Sequence, residues 1–210
     1  MSKDLLAILA GYLLGSIPFA FIVTWLWTGK DIRVEGEGNV GARNVAHVAG
    51  NLAGLLVLLL DMAKGAAAYS VADAWTSGRL AFYLTAFALM LGHGFPIWLR
   101  GRGGKGLAPA SGFLLQMWPC SVLAALLIFL AASRVIVGFN LAFGVAGAAF
   151  PFLTLLEGND LEGFVFIVVF LSLAGVKKVI DLPYERAIRE KSGWIEGPAH
   201  LRWTRQKGGN

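Results

Sequence analysis

The stretch Leu107-Ala-Pro-Ala-Ser-Gly-Phe-Leu-Leu-Gln-Met-Trp118-Pro119-Cys120-Ser-Val-Leu-Ala-Ala-Leu-Leu-Ile-Phe-Leu130 decides how this chain is arranged. It is apolar almost throughout and longer than the ~20 residues that cross a hydrocarbon core of ~30 Å. It reads either as one long helix or as two short ones broken near Trp118 and Pro119, because proline starts helices readily and continues them badly. The first choice gives six spans in the chain and the second gives seven. Basic residues choose between them, since Lys and Arg accumulate on the cytoplasmic side of a membrane. With seven spans and the amino terminus outside, Lys30, Arg33, Arg43, Arg100, Arg102, Lys105, Arg134 and the eight basic residues from Lys177 onward fall inside. Only Lys3 and Arg79 remain outside, together with the acidic loop of Glu157, Asp160 and Glu162. With six spans that asymmetry collapses. The charges predict seven.

Composition agrees. The chain has 210 residues, 57% hydrophobic and 15% charged, against an average charged fraction of about 25% in soluble domains. The apolar residues fall in long runs, so an all-α integral membrane bundle of about seven transmembrane helices is the predicted fold. The runs are Leu5 to Trp27, Val45 to Ala74, Leu80 to Leu99, the divided stretch from Leu107 to Leu130, Phe139 to Leu156 and Phe164 to Val176. Pro18 is placed to kink the first. That run is too long for a signal-peptide core and has only Lys3 ahead of it, so it reads as a span and not as a cleaved leader. Residues 1–180 form one transmembrane domain on this reading, and 181–210 a polar, basic cytoplasmic tail. Trp194 and Trp203 suit that tail to a membrane surface. Trp25, Trp27, Trp98 and Trp118, near span ends, read as interfacial anchors.

The net charge of +5 sits between apolar runs, where it sets topology and attracts lipid headgroups. A nucleic-acid partner is therefore set aside. Cys120 is the only cysteine, which excludes an intrachain disulfide and reads as a small packed hydrophobe. His47, His93 and His200 lack metal-ligand spacing, and no G-x-S-x-G elbow is present. No metal or cofactor is expected.

Three constellations carry chemistry. In Arg33-Val-Glu-Gly-Glu-Gly-Asn39-Val-Gly-Ala-Arg43-Asn44, the glycines at 36, 38 and 41 allow successive N–H groups to converge on an anion ahead of a helix. Arg33 and Arg43 add bidentate donors. The same segment also reads as a turn whose arginines anchor on headgroups. The second, Gly92-His93-Gly-Phe-Pro-Ile-Trp-Leu-Arg100-Gly-Arg102-Gly103-Gly104-Lys105-Gly106, gathers cations and glycines at the mouth of a helix. It is no Walker A loop, because Gly106 follows Lys105 where Ser or Thr is needed. The third is Asp61 with Lys64, whose spacing puts both on one face of a helix within the membrane. A structural ion pair and a group that orients substrate both fit it.

Gly15-Ser-Ile-Pro18, the first loop from Gly36 to Asn44, Asp61-Met-Ala-Lys64-Gly65, and Gly92-His-Gly-Phe-Pro96 leading to Gly103-Gly-Lys-Gly106 together resemble the bacterial acyl-phosphate-dependent glycerol-3-phosphate acyltransferase family. They occur in the family's order over roughly the first 115 residues; later spans match by hydropathy alone. The resemblance implies a multi-pass enzyme of the bacterial inner membrane. It would move a fatty acyl group from acyl phosphate to glycerol 3-phosphate, giving lysophosphatidic acid. It implies that the loop around Asn39 and Asn44, together with Lys105, cradles the phosphates; the catalytic groups expected on this reading are His93, Lys105 and Asn44. Arg33, Gly38, Asn39, Gly41, Arg43, Arg102, Gly103, Gly104, Lys105 and Gly106 would bind the phosphates, with Asp61 and Lys64 as a supporting pair. The chemistry is within reach of these residues, since acyl phosphate is already activated and needs positioning and oxyanion donors.

The chain departs from the family pattern at four places. Glu37 stands where serine is usual, Arg43 and Pro109 where threonine is usual, and the Arg-His…Asn run that closes the family's last span is replaced by Gly175-Val-Lys-Lys-Val-Ile-Asp-Leu-Pro-Tyr184. Three outcomes are open: Lys177 and Lys178 substitute, the acceptor has changed, or activity is lost. A transporter or flippase of a phosphorylated metabolite or lipid is the rival from another class, although no inverted repeat is visible.

Overall fold

A computed structural model describes residues 2–136 and 138–193 of the chain. Trp194, His200, Trp203 and the rest of the basic tail lie outside the described residues. Those described contain helices and no strand.

Helix α1 (Lys3–Ser16) opens with the Ser2 side chain accepting the Leu5 N–H. Pro18 does more than kink the first span. It lacks an N–H, so the ladder stops at Ile17 and restarts as α2 (Phe19–Thr28). A 3₁₀ turn (Ile32–Val34) and the first glycine loop lead to α3 (Ala42–Ala49). The run predicted to start a span at Val45 is divided, because Gly50 adopts φ +95°, and α4 (Asn51–Trp75) begins after it. Helix α5 (Arg79–Gly94) ends before Pro96, and a second 3₁₀ turn (Ile97–Leu99) carries the chain to the second glycine loop. The stretch that chooses between six and seven spans is two helices, α6 (Leu107–Met117) and α7 (Pro119–Val135), with Pro119 at the first position of the second. Helices α8 (Phe139–Leu155) and α9 (Leu161–Ser192) complete the order.

Hydropathy ends the last span at Val176. Instead α9 runs on through Pro183 to Gly193, whose left-handed conformation caps it. The continuation has a physical cause. Lys177 pairs with Asp181 at 2.5 Å and Glu185 with Arg189 at 3.5 Å, both at i,i+4, and Tyr184 and Ser192 dock on the first loop.

Four helical segments are long and apolar enough to cross a membrane: Lys3–Thr28, Asn51–Trp75, Arg79–Leu99 and Leu161–Ser192. Helices α6, α7 and α8 are apolar but shorter. The connections gather at two ends of the bundle. At one, Asp4 accepts from Ser77, Glu157 accepts the Ser121 N–H, and Arg79 pairs with Asp160 and Glu162. At the other lie both glycine loops, the start of α8 and the end of α9.

Apolar side chains offer no driving force for association inside lipid, so helices there depend on close packing of small residues. Helices α1 and α5 meet that way: a Cβ at Gly15 would overlap the Leu89 carbonyl, and one at Gly92 the Tyr12 carbonyl. Helices α4 and α6 do the same through Gly65 on the Pro109 carbonyl and Gly112 on the Met62 carbonyl. Pro109, the departure from the family's threonine, thus serves this seam by its backbone. Aromatic rings fill the centre. Tyr83 stacks on Phe166 with centroids 4.1 Å apart, and Phe113 meets Tyr69 and Phe82 edge to face. Trp118 is buried in this core and is not an interfacial anchor, whereas Trp25, Trp27 and Trp98 are exposed. Cys120 is also exposed, near the start of α7, rather than packed. Leu9, Leu13, Leu26, Leu59 and Leu127 make up part of the bundle's apolar outer surface.

Candidate active site

The break in the first span creates the site. Unwinding at Ile17 and Pro18 leaves backbone carbonyls without helical partners inside the membrane, where no water can satisfy them. The ammonium of Lys64 does so, donating to the Gly15 carbonyl at 3.0 Å and the Ile17 carbonyl at 2.9 Å. It also sits 2.9 Å from Asp61 and 2.9 Å from His93 Nδ1. An ammonium has donors only, so Nδ1 of His93 accepts and the ring proton lies on Nε2. Nε2 faces Gly104, where a Cβ would collide with it. All three side chains are buried, and they tie together the first, second and third spans.

The second loop lies on this cluster through backbone. Gly103 N–H donates to the Gly94 carbonyl and Gly104 N–H to the His93 carbonyl, each at 3.1 Å. A Cβ on Gly104 would strike the Val40 carbonyl as well as His93, so the absence of side chains lets the two glycine loops touch. A water-sized cavity of about 10 Å³ is left between Ser16, Asp61, His93, Gly103 and Gly104. Ser16 Oγ is buried there without a hydrogen-bond partner. A second cavity, of about 100 Å³, opens beside it between Met90, Phe95, Lys105, Leu173 and Lys177.

Asn44 shapes the first loop. Its amide group donates to the Glu35 and Asn39 carbonyls at 2.9 and 3.0 Å and reaches the Ile32 carbonyl, while its Oδ1 accepts the Glu37 N–H at 3.0 Å. Those bonds occupy both amide N–H donors and one acceptor site of Oδ1. Gly36 and Gly38 have φ of +58° and +73°, which the reversal of the chain requires. The Asn39 side chain folds back over Gly41, and its Oδ1 is buried without a partner.

Lys105, Arg43, Arg189 and Arg33 are paired with carboxylates. Lys105 lies 2.8 Å from Glu185; Arg43 lies 2.5 Å from Glu37 and stacks over the Phe139 ring. Arg189 reaches both carboxylates, 3.5 Å from each. Lys178 is within electrostatic range of Lys105, Arg43, Arg189 and Glu185. Arg33 is bound to Asp31 at 2.7 Å and lies over Phe21. Its side-chain hydrogen bond holds the Asp31 carboxyl below the usual carboxylate range, against the opposing effect of partial burial. Arg102 is exposed and rests on the Tyr184 ring, 4.9 Å from its centroid.

Of the sequence-predicted residues, Asp61, Lys64, His93, Gly103 and Gly104 come together in one buried cluster. Lys105, Arg43, Asn39 and Gly41 stand beside it. Arg33 and Arg102 lie at the rim, and Gly38 packs against Ile188 of α9. The N–H groups of Gly103 and Gly104 are taken by backbone carbonyls, and Gly106 forms the left-handed cap of α6. Sequence reasoning missed the carbonyls freed at Ile17 and the α9 residues Tyr184, Glu185 and Arg189. The spacing of Lys177, Asp181, Glu185 and Arg189 was the available signal: four charged residues at successive helical turns, with a cation at each end and carboxylates between.

A family model described as glycerol-3-phosphate acyltransferase matches residues 5–181. The glycerol-3-phosphate acyltransferase of Desulforamulus reducens is 38% identical over 169 residues, covering 80% of this chain and 84% of the relative. Glycerol-3-phosphate acyltransferase 1 of Dehalococcoides mccartyi is 40% identical over 185 residues, covering 84% and 88%. The crystal structure of PlsY, an integral membrane glycerol 3-phosphate acyltransferase in its glycerol 3-phosphate form, superposes with a TM-score of 0.79 at 28% identity over 93% of this chain and 96% of that one. Its lysophosphatidic acid form superposes with a TM-score of 0.77 at 25% identity over 95% of this chain and 100% of that one. This chain belongs to the glycerol-3-phosphate acyltransferase family.

Proposed function

We propose that the protein transfers a fatty acyl group from acyl phosphate to glycerol 3-phosphate at the end of the bundle where the two glycine loops meet. The observation that carries this reading is the contact of Gly104 with both His93 and the Val40 carbonyl, which sets Lys105 and the first loop around one buried Lys64–His93–Asp61 cluster. Two phosphates repel each other, and a site lined by cations with an apolar cavity alongside holds both next to an acyl chain.

In the reaction, the 1-hydroxyl oxygen of glycerol 3-phosphate attacks the acyl carbonyl carbon. The bond from that carbon to phosphate oxygen breaks, and inorganic phosphate leaves. The hydroxyl proton goes to an oxygen of the departing phosphate. His93 is a donor in the tautomer set by Lys64, so its Nε2–H stabilises the developing oxyanion. Lys105 and Arg102 bind phosphate, with Arg43, Arg33 and the loop around Gly38 and Gly41. Asn39 offers its unpartnered Oδ1 to a substrate hydroxyl. Asn44 acts by holding the loop and not by touching substrate. Gly103, Gly104 and Gly106 supply close approach, since the first two lack free N–H groups. The mechanism asks for no metal or cofactor.

The alternation of connections between the two ends of the bundle supports seven crossings, α1 with α2 counting as one and α4 to α9 as six. Basic residues at the glycine-loop end favour placing that end, and the residues after 180, in the cytoplasm of a bacterial inner membrane.

Purified protein given palmitoyl phosphate and labelled glycerol 3-phosphate should release lysophosphatidic acid and phosphate in equal amounts. A folded, monodisperse preparation that forms no acyl ester would overturn the proposal.

A further inference from the structure

Five charged side chains of alternating sign run across the glycine-loop end: Lys105, Glu185, Arg189, Glu37 and Arg43. Successive members are 2.8, 3.5, 3.5 and 2.5 Å apart. They belong to four parts of the chain: the second loop, α9, the first loop and α3. Glu37 is the anomaly. It stands in the loop proposed to bind phosphate, 2% exposed, between two glycines of positive φ. A carboxylate there opposes a phosphate at close range, and burial strengthens the repulsion because little water screens it.

Resting on the reading of that loop as a substrate phosphate site, we propose that Arg189 is a positioning residue that neutralises Glu37 and so sets the affinity for the acceptor phosphate. Glu37 and Arg189 form a compensating pair, one charge in the first loop and the other at the end of the last helix. Contacts other than those of Arg189 also dock α9. The Tyr184 hydroxyl donates to the Arg33 carbonyl at 2.7 Å, the Ser192 hydroxyl donates to the Gly36 carbonyl at 2.7 Å, and Ile188 packs on Gly38. Charge can therefore be removed from position 189 while the helix stays in place. Arg43 is closer to Glu37 than Arg189 is, and it also lies over the Phe139 ring of α8. Arg189 is the member that links Glu37 to the carboxylate of Glu185, and hence to Lys105.

The test is a double-mutant comparison in the full-length protein, with KM for glycerol 3-phosphate and kcat measured separately. Arg189→Gln should raise KM by about tenfold, with kcat changed less than about threefold, because a ground-state repulsion is exposed. Glu37→Gln added to Arg189→Gln should bring KM back to within about threefold of wild type, since the unscreened charge is gone. Arg189→Lys should stay near wild type. A double variant as impaired as the Arg189→Gln single, or a single with unaltered KM in an active enzyme, overturns the pairing. Inactivity of the wild-type protein itself would instead strike the acyltransferase reading.

Discussion

The two ends of the bundle carry ion pairs of the same chemistry and opposite circumstances. At the end away from the glycine loops, the outer end on the orientation proposed above, Arg79 meets Asp160 and Glu162 with half or more of each side chain exposed. At the inner end, Lys64 and Asp61 are each 2% exposed, and Lys105 and Glu185 are 12% and 2% exposed. Exposed pairs are screened and add little to stability. Buried ones carry a desolvation penalty that hydrophobic side chains would avoid, so their retention asks for a role beyond holding the fold. Cavity size points the other way: the outer end has an open cleft of about 490 Å³ lined by Asp73, Arg79, Trp118 and Asp160. The inner cavities are far smaller. The location of buried, partnered charge and of unpartnered Ser16 and Asn39 oxygens is the better guide to chemistry here, because a shallow cleft open to water offers no desolvated donors.

Lys64→Met is the substitution that should separate the ends most. It leaves Asp61 buried without its cation and the Gly15 carbonyl unsatisfied, while the Ile17 carbonyl keeps the Phe19 N–H, a loss of about 3–5 kcal/mol for the ion pair alone. Thermal unfolding in detergent should fall sharply and acyl transfer should vanish. Combining it with Asp61→Leu should recover much of the stability and none of the activity; recovered activity would mean the pair is purely structural. Next in size is Gly15→Leu, which drives a side chain into the Leu89 carbonyl and should destabilise α1 against α5 by at least the ~1–3 kcal/mol of ordinary overpacking. The same change at Gly147, which has open space around it, should leave the melting temperature nearly unchanged.

Arg33→Gln should have a smaller effect, raising KM for glycerol 3-phosphate by less than about tenfold, as expected of a rim cation already engaged by Asp31. A loss as deep as that of a buried cation would redraw the site around Arg33. The Asp31 carboxyl is depressed in the folded protein, so the pair contributes above the ordinary carboxylate value and is lost as pH falls through the depressed one. Acyl transfer should therefore show no titration from Asp31 between about pH 5 and 9, checked by comparing pH profiles of wild type and Asp31→Asn. The smallest effect belongs to the outer end: Arg79→Gln should change neither kcat nor KM measurably.

Much of this was legible in the sequence because membrane helices are written in long apolar runs and their ends in charge. The break before Pro119, the Asp61–Lys64 pair and the gathering of His93 with the second glycine loop all follow from local composition and spacing. The length of α9 was not legible, since its last turns are polar and gain their stability from Tyr184, Ser192 and Ile188 meeting a loop some 150 residues earlier in the chain. Hydropathy carries no trace of such contacts. The split at Gly50 was missed because apolar residues continue across it, and the burial of Trp118 because a tryptophan at a span end looks the same whether it faces lipid or core. The loss of the family's Arg-His…Asn run looked damaging on paper. In the fold that region supplies Lys177, beside the Phe95 ring and Gly94 at the mouth of the site, and Lys178, within range of Lys105.

Lys105→Ala bears most heavily on where the chemistry sits, read as kcat/KM for acyl transfer with the melting temperature taken on the same sample. Lys105 reaches the site from a loop, and Glu185 keeps Arg189 as a partner, so transfer should fall by at least about a hundredfold in a protein that melts lower than wild type but stays folded. Transfer at the wild-type rate by that folded variant would contradict the placement of the reaction at the inner end.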